Sequence, residues 1–219
     1  MAELYYPENV FGLTGGMGSG KSTVSEQLSA KGAHILDADQ IVRDMQQPGS
    51  PLLASMAHTL GEEIITDDGA LDRRRAGQLM FSDPQKKQAI EALIVPRVWD
   101  TIDQSVRTAN PEDILILDVP LLVESEHKER LMPRHLVVVD TPVETAVERL
   151  VKYRGFTEEE ARDRIGQQVS REDRLKSAGF VIGNWGTKES LSSQIDYAWR
   201  WMHIRKQLGG AATKNFGML

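Results

Sequence analysis

"FGLTGGMGSGKSTV", residues 11–24, decides how this 219-residue chain is read. Five glycines fall within residues 12–20, and a lysine and two hydroxyls follow at Lys21, Ser22 and Thr23. Gly15, Gly20, Lys21 and Ser22 fit G-x-x-x-x-G-K-[ST], the pattern of a loop that joins a buried strand to a helix and wraps the phosphates of a nucleotide. Glycine reaches positive φ and carries no Cβ, so successive backbone N–H groups can turn toward an anion and approach it closely. Gly16, Gly18, Ser19 and Gly20 are the candidate backbone ligands, at the mouth of a helix whose N-terminal dipole favours the same anion. Lys21 is placed for the β- and γ-phosphates of ATP, Ser22 for Mg²⁺ and Thr23 for the α-phosphate. The competing interpretation is a glycine-rich turn that caps a helix. Val10, Phe11 and Leu13 read as a strand entering the loop, and the stretch from Thr23 to Ala30 as a helix stopping at Gly32, which is the setting the phosphate loop requires. The dinucleotide pattern G-x-G-x-x-G fails, because Lys21 stands where its last glycine belongs.

The whole chain narrows the function classes. A net charge of −6 argues against a general nucleic-acid or membrane-surface binder, either of which needs a dominant basic face. No apolar run approaches the ~20 residues that span a bilayer, and the acidic start "MAELYYPENV" lacks a signal-like apolar core. The expectation is a soluble cytoplasmic protein with small-molecule partners, monomeric or weakly homo-oligomeric. With no cysteine, disulfides, thiol catalysis and Cys-ligated zinc are excluded, and the five histidines show no metal-ligand spacing.

Strand-like runs alternate with helical ones: "VFGLTG", "AHILDAD", "ILILDVPLL", "HLVVVD" and "FVIGN". That order predicts an α/β fold built on a five-stranded parallel sheet. About 60 residues between the second and third strands, 48–110, show helical periodicity without a convincing strand and read as a helical insertion. Thr141 with Glu144, and Thr157 with Glu160, each place a hydroxyl three residues before a glutamate and predict two helix starts. A last helix is expected over about 187–207, followed by a loose tail, "GGAATKNFGML".

Beyond the loop, "ILILDVP" ends an apolar strand on Asp118, a carboxylate suited to organising Mg²⁺ or, alternatively, to capping the next turn. "DAD" at 37–39 closes the second strand, where open parallel sheets collect ligand-binding residues. Asp37 and Asp39 each fit two roles, the N-cap of the helix "QIVRDM" or a base for an attacking hydroxyl. Arginines cluster at Arg73, Arg74 and Arg75, with Arg73 the candidate substrate-binding residue, and again at Arg149, Arg154, Arg162, Arg164, Arg171 and Arg174. Phosphoryl transfer needs cations around the moving group and a segment that excludes water, and an arginine-rich helix between the fourth and fifth strands has the composition of such a lid. Spacing does not say which arginine acts.

As a set and in this order, "GLTGGMGSGKST", "DADQIVRDM", "LDRRRAGQLMFSDPQKKQAIEALIVPRV", "DVPLLVE", "RIGQQ" and "FVIGNWG" resemble the bacterial dephospho-CoA kinases, over about residues 10–200. The resemblance implies a P-loop NTPase three-layer fold with a core (10–47, 111–151 and 170–208), a CoA-side helical insertion (48–110), a lid (152–169) and a flexible tail (209–219). It also implies phosphorylation of the 3′-hydroxyl of the adenosine ribose of dephospho-CoA by Mg·ATP. Carried over, Asp39 is the base, Arg149 steadies the transferring phosphoryl group, and Asp118, Leu121, Leu122 and Glu124 line the acceptor site. Val95, "YRG" at 153–155, Gly179 and Gly183 depart from the family pattern, the two glycines standing where aspartates are usual. Two alternatives share the scaffold: another small-metabolite or nucleoside monophosphate kinase, and a nucleotide-binding module that has lost catalysis.

Overall fold

Strands with apolar residues on both faces belong in the middle of a covered parallel sheet, and Val10–Gly15 (β1) occupies that place. The structure, a computed structural model, describes residues 6–119 and 133–215. β1 lies between Leu115–Asp118 (β3) and His135–Asp140 (β4), parallel to both, with Phe11 opposite Ile116 and His135. His34–Asp37 (β2) flanks β3 and Phe180–Gly183 (β5) flanks β4, giving the order β2-β3-β1-β4-β5. Gly15 pairs with Val139, so the glycine loop leaves the sheet level with the C-terminal ends of its neighbours.

The chain forms two compact units, residues 37–108 and the remainder. In the remainder, Lys21–Ala30 (α1) contributes Val24 and Leu28, and the last helix, Lys188–Asn215, contributes Leu191, Ile195, Ala198 and Met202. Those four fall on one stripe of a 3.6-residue period and close over Phe11, Leu13, Val137, Val139 and Ile182. The helix runs on to Asn215, through Gly209 and Gly210, where the sequence predicts a loose tail.

Residues 37–108 have their own core. Ala38–Met45 (α2), Pro51–Leu60 (α3), a 3₁₀ turn at Glu62–Ile64, Arg73–Ser82 (α4) and Pro84–Thr108 (α5) surround Leu52, Met56, Ala57, Leu60, Ile64, Ala76 and Ile90. Ser50 caps α3 by accepting from the Leu53 N–H at 3.2 Å, with Pro51 opening the helix where a missing N–H costs nothing.

Between β4 and β5 lie Val143–Arg154 (α6), Glu158–Gly166 (α7) and Arg171–Lys176 (α8); the final helix is then α9. The capping box at Thr157 is present: its hydroxyl accepts from the Glu160 N–H at 3.2 Å, and the Glu160 carboxylate accepts from the Thr157 N–H at 2.8 Å. The start predicted at Thr141 differs. Pro142 is the N-cap of α6, with no side-chain cap, and the buried Thr141 hydroxyl donates instead to the Asn184 carbonyl at 2.8 Å. A tertiary acceptor has taken the hydroxyl from its local role. Among the described residues no helix is long and apolar enough to cross a membrane.

Candidate active site

The loop from Gly15 to Gly20 holds the conformation its composition predicts. Gly18 (φ 77°) and Gly20 (φ 83°) lie in the left-handed region, which a Cβ disfavours, and Gly20 is the N-cap of α1 without a side-chain cap. The first N–H groups of α1 are therefore left to an external acceptor. Lys21 opens α1 and pairs with Asp118, the last residue of β3, whose carboxylate is buried. Ser22 and Thr23 are exposed on the same first turn.

This donor set fits a Mg²⁺ that arrives on a triphosphate. Such an ion keeps several waters, takes phosphate oxygens and needs only one or two protein oxygens. The Ser22 hydroxyl and the Asp118 carboxylate supply that number, and the described residues contain no cluster of three or more acidic or histidine ligands that would suit a resident ion.

Arg149 reaches the loop from α6, on its carbonyl side. Its guanidinium donates to the Asn184 carbonyl at 2.8 Å and lies 3.4 Å from the carbonyls of Gly18 and Ser19 and from the Thr141 hydroxyl. The Asn184 amide donates to the Ser19 carbonyl at 2.7 Å. In a phosphate loop the N–H groups face the anion, so Arg149, Asn184 and Thr141 together hold its outer side. Sequence reasoning gave neither residue a place at the loop: Asn184 figured only within "FVIGNWG" and Thr141 only as a helix start.

A second group of side chains meets the loop at Gly16 and Met17. Gln168 accepts from the Met17 N–H at 2.9 Å. Arg174, only 8% exposed, donates to the Val169 carbonyl at 2.9 Å and stands so close to Gly16 that a Cβ there would come within 2.9 Å of Nη1. Arg171 forms a bidentate pair with the buried Asp140 at 2.8 and 2.6 Å, and this carboxylate holds the Arg171 pKa above its ordinary value. These residues line a cavity of about 300 Å³ beside the loop. Arg162 is occupied elsewhere, bridging Glu144 and Glu158, while Arg164 lies over the Phe156 ring and Arg154 ends α6 exposed.

In residues 37–108 the two aspartates of "DAD" separate. Asp37 caps α2, accepting from the Gln40 N–H at 3.0 Å. Asp39 lies exposed in the first turn of α2, and no hydrogen bond or ion pair engages its carboxylate among the described residues. Arg73 donates to the Gln46 side chain at 2.8 Å and lines a cavity of about 460 Å³ with Met56, Leu71 and Ile90. Leu121, Leu122 and Glu124 lie outside the described residues.

Comparison with known proteins agrees with this geometry. The sequence profile of a family described as dephospho-CoA kinase matches residues 9–189. A dephospho-CoA kinase of Thermobifida fusca is 41% identical over 194 residues, 89% of this chain and 96% of the relative. One of Corynebacterium glutamicum is 42% identical over 188 residues, 84% and 92% of the two chains. A crystal structure from Thermus thermophilus superposes with a TM-score of 0.73 at 30% identity, covering 89% of this chain and 96% of the other.

Proposed function

From the premise that the chain belongs to the dephospho-CoA kinase family, we propose how its residues carry that family's reaction. The protein is an ATP-dependent phosphotransferase with the fold of the P-loop kinases, and its acceptor is the 3′-hydroxyl of the adenosine ribose of dephospho-CoA. The new bond joins that oxygen to the γ-phosphorus, the bond from the γ-phosphorus to the bridging oxygen breaks, and ADP and CoA leave. The observation that carries the reading is the loop: left-handed glycines, an α1 N-terminus without a side-chain cap, and Lys21 beside Asp118.

The backbone of Gly16, Gly18, Ser19 and Gly20 binds the phosphates, with Lys21 on the β- and γ-oxygens and Thr23 on the α-phosphate. Ser22 and Asp118 would hold Mg²⁺, which would supply neutralisation of the phosphate charge. Asp39 accepts the proton of the ribose hydroxyl. Asp37 is committed as the cap of α2, so Asp39 is the aspartate of the pair left to act as a base. Arg149 acts through the loop as a positioning residue. Arg73 and the stretch from Asp118 to Glu124 serve the acceptor, with residues 152–169 as the lid. The acidic balance of −6 supports small-molecule partners over nucleic acid, and we place the enzyme in the cytoplasm, monomeric or weakly associated.

The test is ADP release from Mg·ATP with dephospho-CoA, AMP, pantothenate or no acceptor, with product mass checked for one added phosphate. Turnover confined to dephospho-CoA is expected. Activity with another acceptor would replace the substrate, and ATP binding without turnover would favour a module that has lost catalysis. Asp39→Asn should keep nucleotide binding and lower turnover by about 10²–10⁴-fold; near-normal turnover would remove Asp39 from the mechanism.

A further inference from the structure

We propose that Met17 and Gln168 are positioning residues for phosphoryl transfer: they seat α6 and α7 on the phosphate loop, so that a nucleotide ordering the loop also orders the lid. The inference rests on the phosphotransfer reading and goes beyond it by naming the joint between loop and lid.

Of the four free positions in G-x-x-x-x-G-K-[ST], residues 16, 18 and 19 are Gly, Gly and Ser, and only Met17 carries a long side chain. A loop that holds phosphates by its backbone has no use for a thioether, which is an adaptable apolar filler. In the structure that side chain is half-buried, packed on a cluster made by Val147 and Leu150 of α6 and Ala161 of α7. Phe156 and Ile165 pack on the same cluster. Among the described residues, Met17 is its one member from outside the segment between β4 and β5.

The backbone makes the same connection. The Met17 N–H donates to the Gln168 side chain at 2.9 Å, across 151 residues of sequence. An N–H engaged by this side chain serves the joint and not an anion. Next to it, Gly18 lies against α6 itself: a Cβ there would come within 2.8 Å of the Ala146 carbonyl oxygen, in a backbone already at positive φ. Apolar packing, a hydrogen bond and a close backbone approach therefore fall on two consecutive loop residues.

What they seat is a single body. α6 and α7 share the apolar cluster, and Arg162 of α7 reaches the Glu144 carboxylate of α6 at 2.6 Å. Gly155, in the left-handed region, ends α6, and the Thr157 capping box starts α7 directly after it, so the turn between them is short and fixed. A lid has to close with the phosphates in place and keep water from the γ-phosphorus. Joined at Met17, the two events become one: the movement by which the loop takes its anion also fixes α7.

The experiment uses the full chain and compares Met17→Ala, Met17→Leu and Gln168→Ala with the parent. Hydrogen exchange of residues 157–168 is read by mass spectrometry with and without saturating ADP, and CoA and inorganic phosphate are measured during turnover. In the parent, ADP should slow exchange across 157–168 by about tenfold. Met17→Ala should bind ADP within about threefold of the parent and lose most of that slowing, and Gln168→Ala should lose part of it. Met17→Leu keeps the apolar volume and should retain it. In turnover, Met17→Ala should lower kcat by about 10–10²-fold, with KM for ATP changed by less than about threefold. More of the γ-phosphate should also pass to water in place of the ribose hydroxyl, releasing inorganic phosphate with the ADP. A merely structural role would lower protection of 157–168 equally with and without ADP, and that result overturns the inference. So does an ADP-saturated parent whose exchange there is unchanged, or a Met17→Ala chain that keeps the full slowing. If Met17→Ala does not fold, Gln168→Ala, which removes one hydrogen bond, decides by the same comparison. A parent that binds ADP but does not phosphorylate dephospho-CoA would refute the acceptor and leave the joint judged by exchange. A parent that binds no ADP would refute the reading of the loop and this inference with it.

Discussion

Arg149 and Arg174 touch the same loop within a few residues of each other, Arg149 at the Gly18 and Ser19 carbonyls and Arg174 beside Gly16. Arg149 joins the Gly18, Ser19 and Asn184 carbonyls, so removing it should loosen the loop that we propose binds the phosphates of the nucleotide. We expect Arg149→Ala to weaken ADP and ATP to the same extent, and to lower the melting temperature by about 2–8 °C for the loss of one or two charge-assisted hydrogen bonds. Calorimetric titration with both nucleotides checks this; a loss confined to ATP would move Arg149 to the transferring phosphoryl group. The places of Lys21 and Ser22 at the head of α1 and of Asp118 at the end of β3 were legible, because the motif and the strand-end aspartate are local patterns. Asn184 and Thr141 were not, because the Ser19 carbonyl that both approach lies 165 and 122 residues away along the chain. The two glycines that depart from the family pattern each lie against a tryptophan. A Cβ on Gly183 would strike the Trp185 ring at 2.5 Å, and one on Gly179 would press on Trp201 at 3.3 Å.

Among the elements, α7 shows what local sequence specifies and α6 shows where it misleads. Both starts are preceded in sequence by a threonine three residues before a glutamate, but only Thr157 completes the box, because the Thr141 hydroxyl is held by Asn184 and Pro142 is the cap of α6. The strands were legible as apolar runs between turns. The end of α9 was not, since Gly209 and Gly210 weaken a helix without ending it. The α7 start also carries a pH dependence. Glu160 has its pKa lowered by the Thr157 N–H and hydroxyl, and Glu144 by Arg162, both below the usual 4.5. A carboxylate with a depressed folded pKa stabilises above its unfolded value, and that contribution disappears as pH falls through the folded one. Protection of α7 amides, corrected for intrinsic exchange and compared with α1, should therefore hold at neutral pH and drop below about pH 4.5. Glu160→Gln keeps a neutral acceptor in the box and should flatten part of that drop. Equal behaviour of α7 and α1 across the range would show that these carboxylates do not govern the start of α7.

For the molecule as a whole, the decisive feature is that residues 37–108 bury a core separate from the one beneath the sheet. Met56, Ile64 and Ile90 are at most 2% exposed, and the core they form is drawn entirely from the insertion and its flanks. The insertion was legible as helical from its periodicity, but its limits were not. α2 clusters with α5 because their packing, invisible in sequence order, decides membership. If the two cores are energetically distinct, damage to one need not spread. Ile90→Ala leaves a cavity in a close-packed site and should cost about 2–5 kcal/mol there. Amide protection across 37–108 should then fall by roughly thirtyfold or more, while that of β1, β3 and β4 changes by less than about threefold. We place phosphate binding in the sheet unit and the acceptor at Arg73, so ADP affinity should survive while kcat/KM for dephospho-CoA falls, because the Arg73 cavity shares the damaged core. Hydrogen exchange read by mass spectrometry, with ADP titrated in parallel, resolves the two regions. A uniform loss of protection in both, or an equal loss of ADP binding, would mean that the chain folds as one cooperative unit and that the acceptor side cannot be weakened without the nucleotide side.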